Sequence, residues 1–594
     1  MTDPVALYGT AVPPAPATEL RHGAVTLTLQ EGALRHIRVG GTEIIRSVAF
    51  LARDRDWGTI APELGTLERH EDGGTLRLVL PMGFDTGTAR LDVTLQVQIA
   101  EGRLSVTAEG RAQGDFETNR AGFTVLHPIE GVAGCPARVT HSDGRTEDSR
   151  FPELIEPWQP FMDIAALEHA ANGMRVRCAF TGDTFEMEDQ RQWGDASYKT
   201  YNRPLALPWP HVLEDGAAVA QSCEITWEAA PDSVPARPAG AALTARVPQT
   251  ALVLTAEEAR RLARQPDDLD VVRPQRLLCH VDAAAAPAAP QIAAFAEAQA
   301  VLPGILFDLE LIGRFDGSQT PREELDAHSA AVRDSGLVPA SVFVCPSVDR
   351  QSTPPGSAWP DCPPLEEIHA AAARAFPDLP RGGGMASLFT ELNRKRPPVG
   401  QLDFVSHGLC PIVHAADDGH VMETLETIPH VARSARAIIG EAEYRIGPAT
   451  IAMRQNPYGS RTIPNPGGGR VCMTDDDPRH RGAFGAAYAL GLAAALAPFD
   501  IAVWTPAALY GPRGLFGDDG PLPLAGVLRA LSELAGETVR EAGIAEGIAT
   551  LATDGARLSA NLTASDNGGL PPYGWHLARG TEIETPARRD YLSG

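Results

Sequence analysis

The sequence predicts a multidomain α/β plus β protein: an N-terminal antiparallel β-sandwich, a central (β/α)8 TIM-like barrel and a small C-terminal β module. Three observations carry that expectation. At 594 residues the chain is too long for one compact core. From about Glu19 to Ala230 apolar and polar side chains alternate with a period of two, whereas beyond Thr244 short apolar runs alternate with helical periods. After Gly543 the alternation returns, in IATLATDGARLSANLTASD.

Residues 1–18 are rich in Pro and Ala, with neither a basic nor an apolar segment of the signal-peptide kind, and are read as an arm. The sandwich is placed at 19–242 on runs such as 25–29 (VTLTL), 76–80 (LRLVL), 91–99 (LDVTLQVQI), 104–107 (LSVT) and 223–227 (CEITW). Gly, Asp and Asn punctuate these runs, as an antiparallel sandwich requires. PDSVPARPAGAA, at 231–242, has no period and marks the domain boundary. The barrel is placed at 243–540. Its strand candidates are 251–254, 277–282, 305–310, 340–345, 385–391, 402–407, 449–454 and 501–504. Helical patterns occupy 256–264, 291–302, 322–335, 365–376, 420–439, 482–497 and 522–535. Eight doubly buried strands, mostly followed by helices, satisfy a closed parallel barrel. The C-terminal module is placed at 541–594.

Composition narrows the function classes. With 51 Lys and Arg against 76 Asp and Glu the net charge is −25, which disfavours nucleic acid and anionic membrane as partners. No apolar stretch reaches the length of a membrane span. Eight scattered cysteines include no CxxC pair, so a cytoplasmic protein with reduced thiols is expected, without a metal or other cofactor. Lys199 and Lys395 are the only lysines in the chain.

In a barrel of this kind catalytic groups gather where the βα loops converge, at the C-terminal ends of the strands. Glu391, in SLFTELN, follows an apolar run, where desolvation raises a carboxyl toward acid/base work. A salt bridge to Arg394, Lys395 or Arg396 is the competing reading. Glu310, in ILFDLEL, shares a face with Asp308, an arrangement that suits acid/base chemistry, hydroxyl binding or a structural network. His407 closes LDFVSH and titrates near neutrality, or else is a core histidine. Asp282, Asn393, Arg454, Asn456, Tyr458 and Trp504 complete the strand-end candidates for substrate binding; a guanidinium beside two hydrogen-bonding groups suits a carbonyl or carboxylate. His414, Asp417, Asp418 and His420 are metal-ligand types, but Asp417 to Gly419 read better as a helix cap. In the sandwich, residues 186–210 (EMEDQRQWGDASYKTYNRPLALPWP) concentrate Glu188, Trp193, Asp195, Lys199 and Tyr201. That density fits a loop reaching the barrel mouth, with Trp193 and Lys199 as binding candidates, or a polar domain interface.

FTELN, DFVSHGLCPIVHA and GLFGDDGPLPLAGVLRALSEL, set in this layout, resemble clan A glycoside hydrolases. Thr390 stands where that clan has Asn before its acid/base glutamate, and IAMRQNPYG offers no carboxylate for a nucleophile. A retaining hydrolase needs two carboxyl groups about 5 Å apart. Over essentially its whole length the chain resembles more closely the bacterial D-apionate lactonase family. The resemblance is carried by NRAGFTVLHPIEG, RFPELIEPWQPFMDI, residues 186–210, SLFTELNRKRPP, DFVSHGLCPIVHAADDGHVMETLETIPH and FGAAYALGLAAALAPF. It implies a carboxylic ester hydrolase that converts D-apionolactone, a branched sugar-acid lactone, to D-apionate in apiose catabolism. For that reaction Glu391 is the expected base, or acid by turns, and His407 or Arg454 the group that polarises the carbonyl. Glu310, Asp282 and the Trp193 loop are then left to hold hydroxyls. Two other classes stay open: a clan A-like glycoside hydrolase and a non-catalytic sugar-binding protein. Oligomeric state is not legible.

Overall fold

A computed structural model describes residues 3–230, 245–459 and 461–580. The N-terminal part is an antiparallel sandwich, as the period of two predicts. One sheet runs in the order Ala17–His22, Val25–Gln30, Ala33–Val39, Thr42–Arg53, Arg120–His127, Tyr198–Tyr201, Glu186–Glu188. The other is longer and centres on Ala218–Ala229, Arg103–Gln113, Arg90–Ala100 and Thr75–Asp85. In Arg90–Ala100, Leu91, Val93, Leu95, Val97 and Ile99 all point inward and are buried, while the residues between them face out. Each such burial is worth roughly 1.5–3 kcal/mol. Phe50 joins the two sheets, 5.9 Å from Phe84 of the opposite sheet and 5.8 Å edge-on from Phe123 beside it.

The barrel closes on eight parallel strands: β1 Gln249–Leu254, β2 Arg276–Asp282, β3 Leu306–Gly313, β4 Ser341–Pro346, β5 Arg381–Leu388, β6 Phe404–Leu409, β7 Glu443–Ala449 and β8 Ile501–Ala508. Its helices begin where the local chemistry allows. Thr255 with Glu258, and Thr320 with Glu323, form capping boxes that open Ala256–Arg264 and Pro321–Ser335. Ala483–Leu496 is apolar all round and is buried along its length, as such a helix must be. Against it lies the C-terminal antiparallel sheet of Glu541–Ala545, Ile548–Ala552, Ala556–Asn561 and Trp575–Arg579. The N-terminal arm reaches the same place: Tyr8, in the short helix Pro4–Tyr8, is buried 5.6 Å edge-on from Tyr573. The boundary expected at 242 lies outside the described residues, as do residues 581–594. Among the described residues no helix is long and apolar enough to cross a membrane.

Two strands and one helix differ from expectation. β5 begins at Arg381 and takes in Gly382, Gly383 and Gly384, and residues 389–391, expected as the end of that strand, open the helix Phe389–Lys395. The glycines belong inside the wall because nothing larger fits: a Cβ on Gly382 would stand 2.1 Å from the Phe404 ring, and one on Gly384 2.2 Å from the Ser406 carbonyl. β7 is Glu443–Ala449, not 449–454, so Arg454 lies in the loop beyond it. There the apolar run ATIAM is buried as irregular backbone, with the Met453 amide donating to the Thr474 carbonyl. The expected helix 420–439 is two helices, Asp418–Glu423 and Ile428–Ile439, because Pro429 fits only a first turn.

The first sandwich sheet is clamped to the C-terminal face of the barrel by ion pairs centred on the largely buried Glu423. Arg35 pairs with Asp417 (2.5 Å) and Glu423 (3.1 Å), and Arg46 with Glu426 (2.9 Å) and Glu423 (3.5 Å). His36 lies 3.0 Å from Glu423 and 3.3 Å from Glu43. Burial alone would depress this imidazole, but its hydrogen bonds to the two glutamates outweigh burial and raise it to about 9. A raised pKa adds stability that is complete below the unfolded value near 6.5 and is lost as pH rises through about 9. Wild type should therefore lose on the order of 2 kcal/mol of unfolding free energy over that window. His36→Gln should flatten the loss in urea melts at pH 6, 8 and 10; an unchanged pH slope would refute the assignment.

Candidate active site

Residues 186–210 fold back along the sheet edge and then over the barrel mouth. Glu186–Glu188 and Tyr198–Tyr201 pair as strands, and between them the turn Gln190–Trp193 is anchored by a fully buried pair, Arg191 to Asp189 at 2.7 Å. Arg191 also donates to the Pro152 and Glu153 carbonyls. From the barrel side Thr390 Oγ1 donates to the Gln192 carbonyl at 2.9 Å, which fixes the turn on the C-terminal face. Trp193 is thereby held over the mouth, its Nε1 donating to Glu188 at 2.8 Å.

Between sandwich and barrel lies a cleft enclosing about 600 Å³ of empty space, its open mouth included. The sandwich contributes Arg53, Trp57, Arg120, Glu188, Trp193 and Lys199. The loop after β4 contributes Ser352, and the segment after β5 contributes Arg394. His414 follows β6, and Tyr458 and Met473 follow β7. Glu188 is the one carboxylate in the described lining, and it is committed to Lys199, whose Nζ lies 2.5 Å away. Burial would raise the Glu188 carboxyl, but the charges of Lys199 and His414 and hydrogen bonds from Lys199 and Trp193 bring it to about 2. Burial also lowers the Lys199 ammonium, with Glu188 opposing and Arg120 and Arg53 reinforcing the shift.

Arg53 and Arg120 stand directly opposite each other in strand register. Like charges placed so repel, yet among the described residues neither has a carboxylate within ion-pair distance. Arg53 donates to the Trp57 carbonyl, and Arg120 lies over the Tyr201 ring at 3.9 Å with its buried Nε unpartnered. The cleft thus carries unmatched positive charge in a strongly acidic chain. His414 Nδ1 is 2.6 Å from Asp195 Oδ2, and His420 Nε2 is 3.0 Å from the other oxygen. Burial pushes His414 down despite Asp195; for His420 burial is outweighed by Asp195 and the value rises.

The structure brings Trp193, Lys199 and Tyr458 together in the cleft, with Glu391 one side chain behind it. Glu391 Oε1 accepts from the Thr353 amide at 3.3 Å and from Arg394 at 3.4 Å, and burial raises its carboxyl above the usual range. The other sequence candidates lie elsewhere. Glu310 is saturated by His280 (2.6 Å) and Arg454 (2.7 and 3.1 Å), which tie β2, β3 and the loop after β7 together and hold it at about 2. His407 has both nitrogens engaged, by Tyr444 at 2.8 Å and by the Gly408 carbonyl at 2.9 Å, and burial lowers it to about 4. Asp282 caps the turn at Ala284 and Ala285 and pairs with Arg350. Asn393 donates to the Ile155 carbonyl, and Asn456 orders its own loop through the Arg461 carbonyl and the Tyr458 amide. Trp504 is buried in the barrel wall, donating to Thr250.

Arg53, Arg120, Arg394 and the pair of Asp195 with His414 are absent from the sequence shortlist. The sequence marks Asp195 only through the polar density of residues 186–210, His414 only as a metal-ligand type and Arg394 only as a salt-bridge partner for Glu391. His127, His169 and Cys178 also cluster, in the sandwich core, with donor atoms within 4.8 Å of one another. There the imidazoles hydrogen bond to each other at 3.0 Å, and burial raises the Cys178 thiol to about 12, so the group reads as a satisfied core network.

Comparison with known proteins adds a second line of evidence. A model of the D-apionate lactonase N-terminal domain matches residues 5–230, and one of the D-apionate lactonase TIM barrel domain matches residues 250–536. A D-apionate lactonase of Brucella anthropi is 43% identical over 554 residues, which is 90% of each chain. Among solved structures, a GH36 α-galactosidase from Geobacillus stearothermophilus is 10% identical and covers 92% of this chain and 91% of its own, with a TM-score of 0.28. A galactose mutarotase-like protein from Clostridium acetobutylicum is 8% identical and covers 36% of this chain and 99% of its own, at 0.26. At these scores neither structure bears on the site.

The coupling of Lys199 to Glu188 is measurable. Lys199→Met leaves a buried carboxylate without its cation and should cost about 3–5 kcal/mol in chemical denaturation at pH 7. Adding Glu188→Gln should restore most of that loss. A double variant no more stable than Lys199→Met would show that the pair is not coupled.

Proposed function

The chain belongs to the D-apionate lactonase family, and from that premise we propose that it opens D-apionolactone to D-apionate by attack of water in the cleft between sandwich and barrel. The reading makes it a carboxylic ester hydrolase of apiose catabolism. One observation carries the placement: the unmatched positive charge of Arg53 and Arg120 beside Lys199. A lactone enters neutral, develops an oxyanion on its carbonyl oxygen and leaves as a carboxylate. Preorganised cations in a partly desolvated site favour each charged stage over the neutral start. Trp193 and Trp57 give the ring apolar walls, and Ser352 and Tyr458 offer hydroxyls to its own.

Opening the ring also requires a proton for the departing ring oxygen. We assign that proton to Glu391, delivered through the Ser352 hydroxyl. The support is its raised carboxyl, and its position beside Ser352 and Arg394, both of which line the cleft. Glu310 and His407, whose polar atoms are already engaged, are assigned to holding the barrel. The one lining carboxylate, Glu188, is pinned near pKa 2, which disfavours a glycosidase pair. A cytoplasmic location, with neither nucleic acid nor membrane as partner, is part of this reading; eight free thiols and the −25 charge support it.

An indicator assay for acid release over a panel of aldonolactones, with and without chelator, tests the reading. Release confined to branched four-carbon lactones and indifferent to chelator is expected. Turnover of aryl glycosides in its place, or binding of apionolactone without turnover, would overturn it. Glu391→Gln should lower kcat by ~10²–10⁴-fold with an unchanged unfolding midpoint; near-wild-type turnover would remove Glu391 from the mechanism.

A further inference from the structure

Lactone hydrolysis also needs a base for the attacking water, and none of the strand-end candidates supplies one inside the cleft. We infer that His414 is that base and that Asp195 is its positioning residue, an assignment that rests on the lactonase reading. Asp195 comes from the sandwich and His414 from the loop after β6, so the pair exists only when the two domains are docked.

The geometry is specific. With Nδ1 2.6 Å from Asp195 Oδ2, the imidazole proton sits on Nδ1 and is donated to the carboxylate. The lone pair is then on Nε2, which has no hydrogen-bond partner among the described residues, on a ring that lines the cleft. Trp193 stands edge-on at 5.6 Å and confines the ring. Asp195 is itself held, 98% buried, against His420 at 3.0 Å, and its carboxyl lies well below the usual range. The charged groups facing His414 are Asp195, Glu188 and Lys199 from the sandwich, together with Arg53, which approaches the His414 carbonyl. Tyr458 and Cys472, from the barrel loops, are raised by burial and stay neutral. Burial, reinforced by Lys199, outweighs Asp195 and Glu188 and keeps His414 below its ordinary value, which favours the free base at neutral pH.

The step balances. Nε2 takes a proton from water as the oxygen bonds to the lactone carbonyl carbon, and the carbonyl π pair moves onto oxygen beside the cations. That pair then re-forms the carbonyl, the bond to the ring oxygen breaks, and the ring oxygen takes the proton relayed from Glu391. The imidazolium returns its proton to solvent, Glu391 regains one, and the new carboxylic acid ionises.

The test uses the full chain and apionolactone. His414→Gln should lower kcat by ~10²–10⁴-fold with KM within a few-fold, and should abolish an acid limb that wild type shows below pH 6.5. Added imidazole should restore part of the activity of His414→Ala. Asp195→Asn should lower kcat and displace the same limb. His414→Gln with kcat within threefold of wild type and the acid limb intact would overturn the inference, as would His414→Ala that imidazole fails to restore. Wild type that opens no lactone at all would instead overturn the function itself, so the two failures are distinguishable.

Discussion

The docking of one sandwich sheet onto the C-terminal face of the barrel is the interaction on which everything else rests. It is made largely of buried charge. Glu423 receives Arg35, Arg46 and His36 from one side, and Asp195 holds His414 and His420 from the other. Removing ions from water is costly unless each finds a partner in good geometry, so these groups tolerate few relative positions of the two domains. An apolar interface of the same size would be at least as stable and far less particular about angle. Here the angle matters, because the cleft takes its walls from both sides.

The same logic explains how an acidic chain holds a positive site. Among the described residues most acidic groups lie on the surface or in ion pairs, and the net charge describes what the protein presents at long range. Inside the cleft the count is local: Lys199 is matched by Glu188 and Arg394 lies beside Glu391, leaving Arg53 and Arg120. The strain of setting two arginines opposite each other is carried by the sandwich, whose large apolar core supplies the stability to hold them there. Overall charge and site charge are thus independent quantities, and only the second concerns the chemistry.

Legibility in the sequence followed the range of the interactions involved. Alternation and helical period are local, so sandwich, barrel and C-terminal sheet were all readable. β5 was misplaced because the glycines that fit against Phe404 look like a loop until Phe404 is known to be there. β7 was misplaced because ATIAM is buried without being a strand. At the site, the segment 186–210 announced itself by density alone, and Glu391 by following an apolar run. Arg53 and Arg120 did not: 67 residues separate them, and nothing local says that their strands pair. His414 was read only as a doubtful metal ligand, since its partner Asp195 lies 219 residues away. Burial, conversely, made poor prospects of His407 and Trp504, which resemble site residues in type and position.

The two lysines have a consequence of another kind. Lys199 is buried against Glu188, and Lys395 is largely covered and paired with Asp349. Every other side-chain cation of the folded chain at high pH is a guanidinium. The outside therefore offers acylating agents, reducing sugars and amine-directed cross-linkers no free side-chain ammonium, and wherever such reagents do reach a lysine they arrive at the barrel mouth. Amine reactivity at Lys199, which lines the cleft between the two domains, becomes a built-in reporter of that cleft without any engineered label.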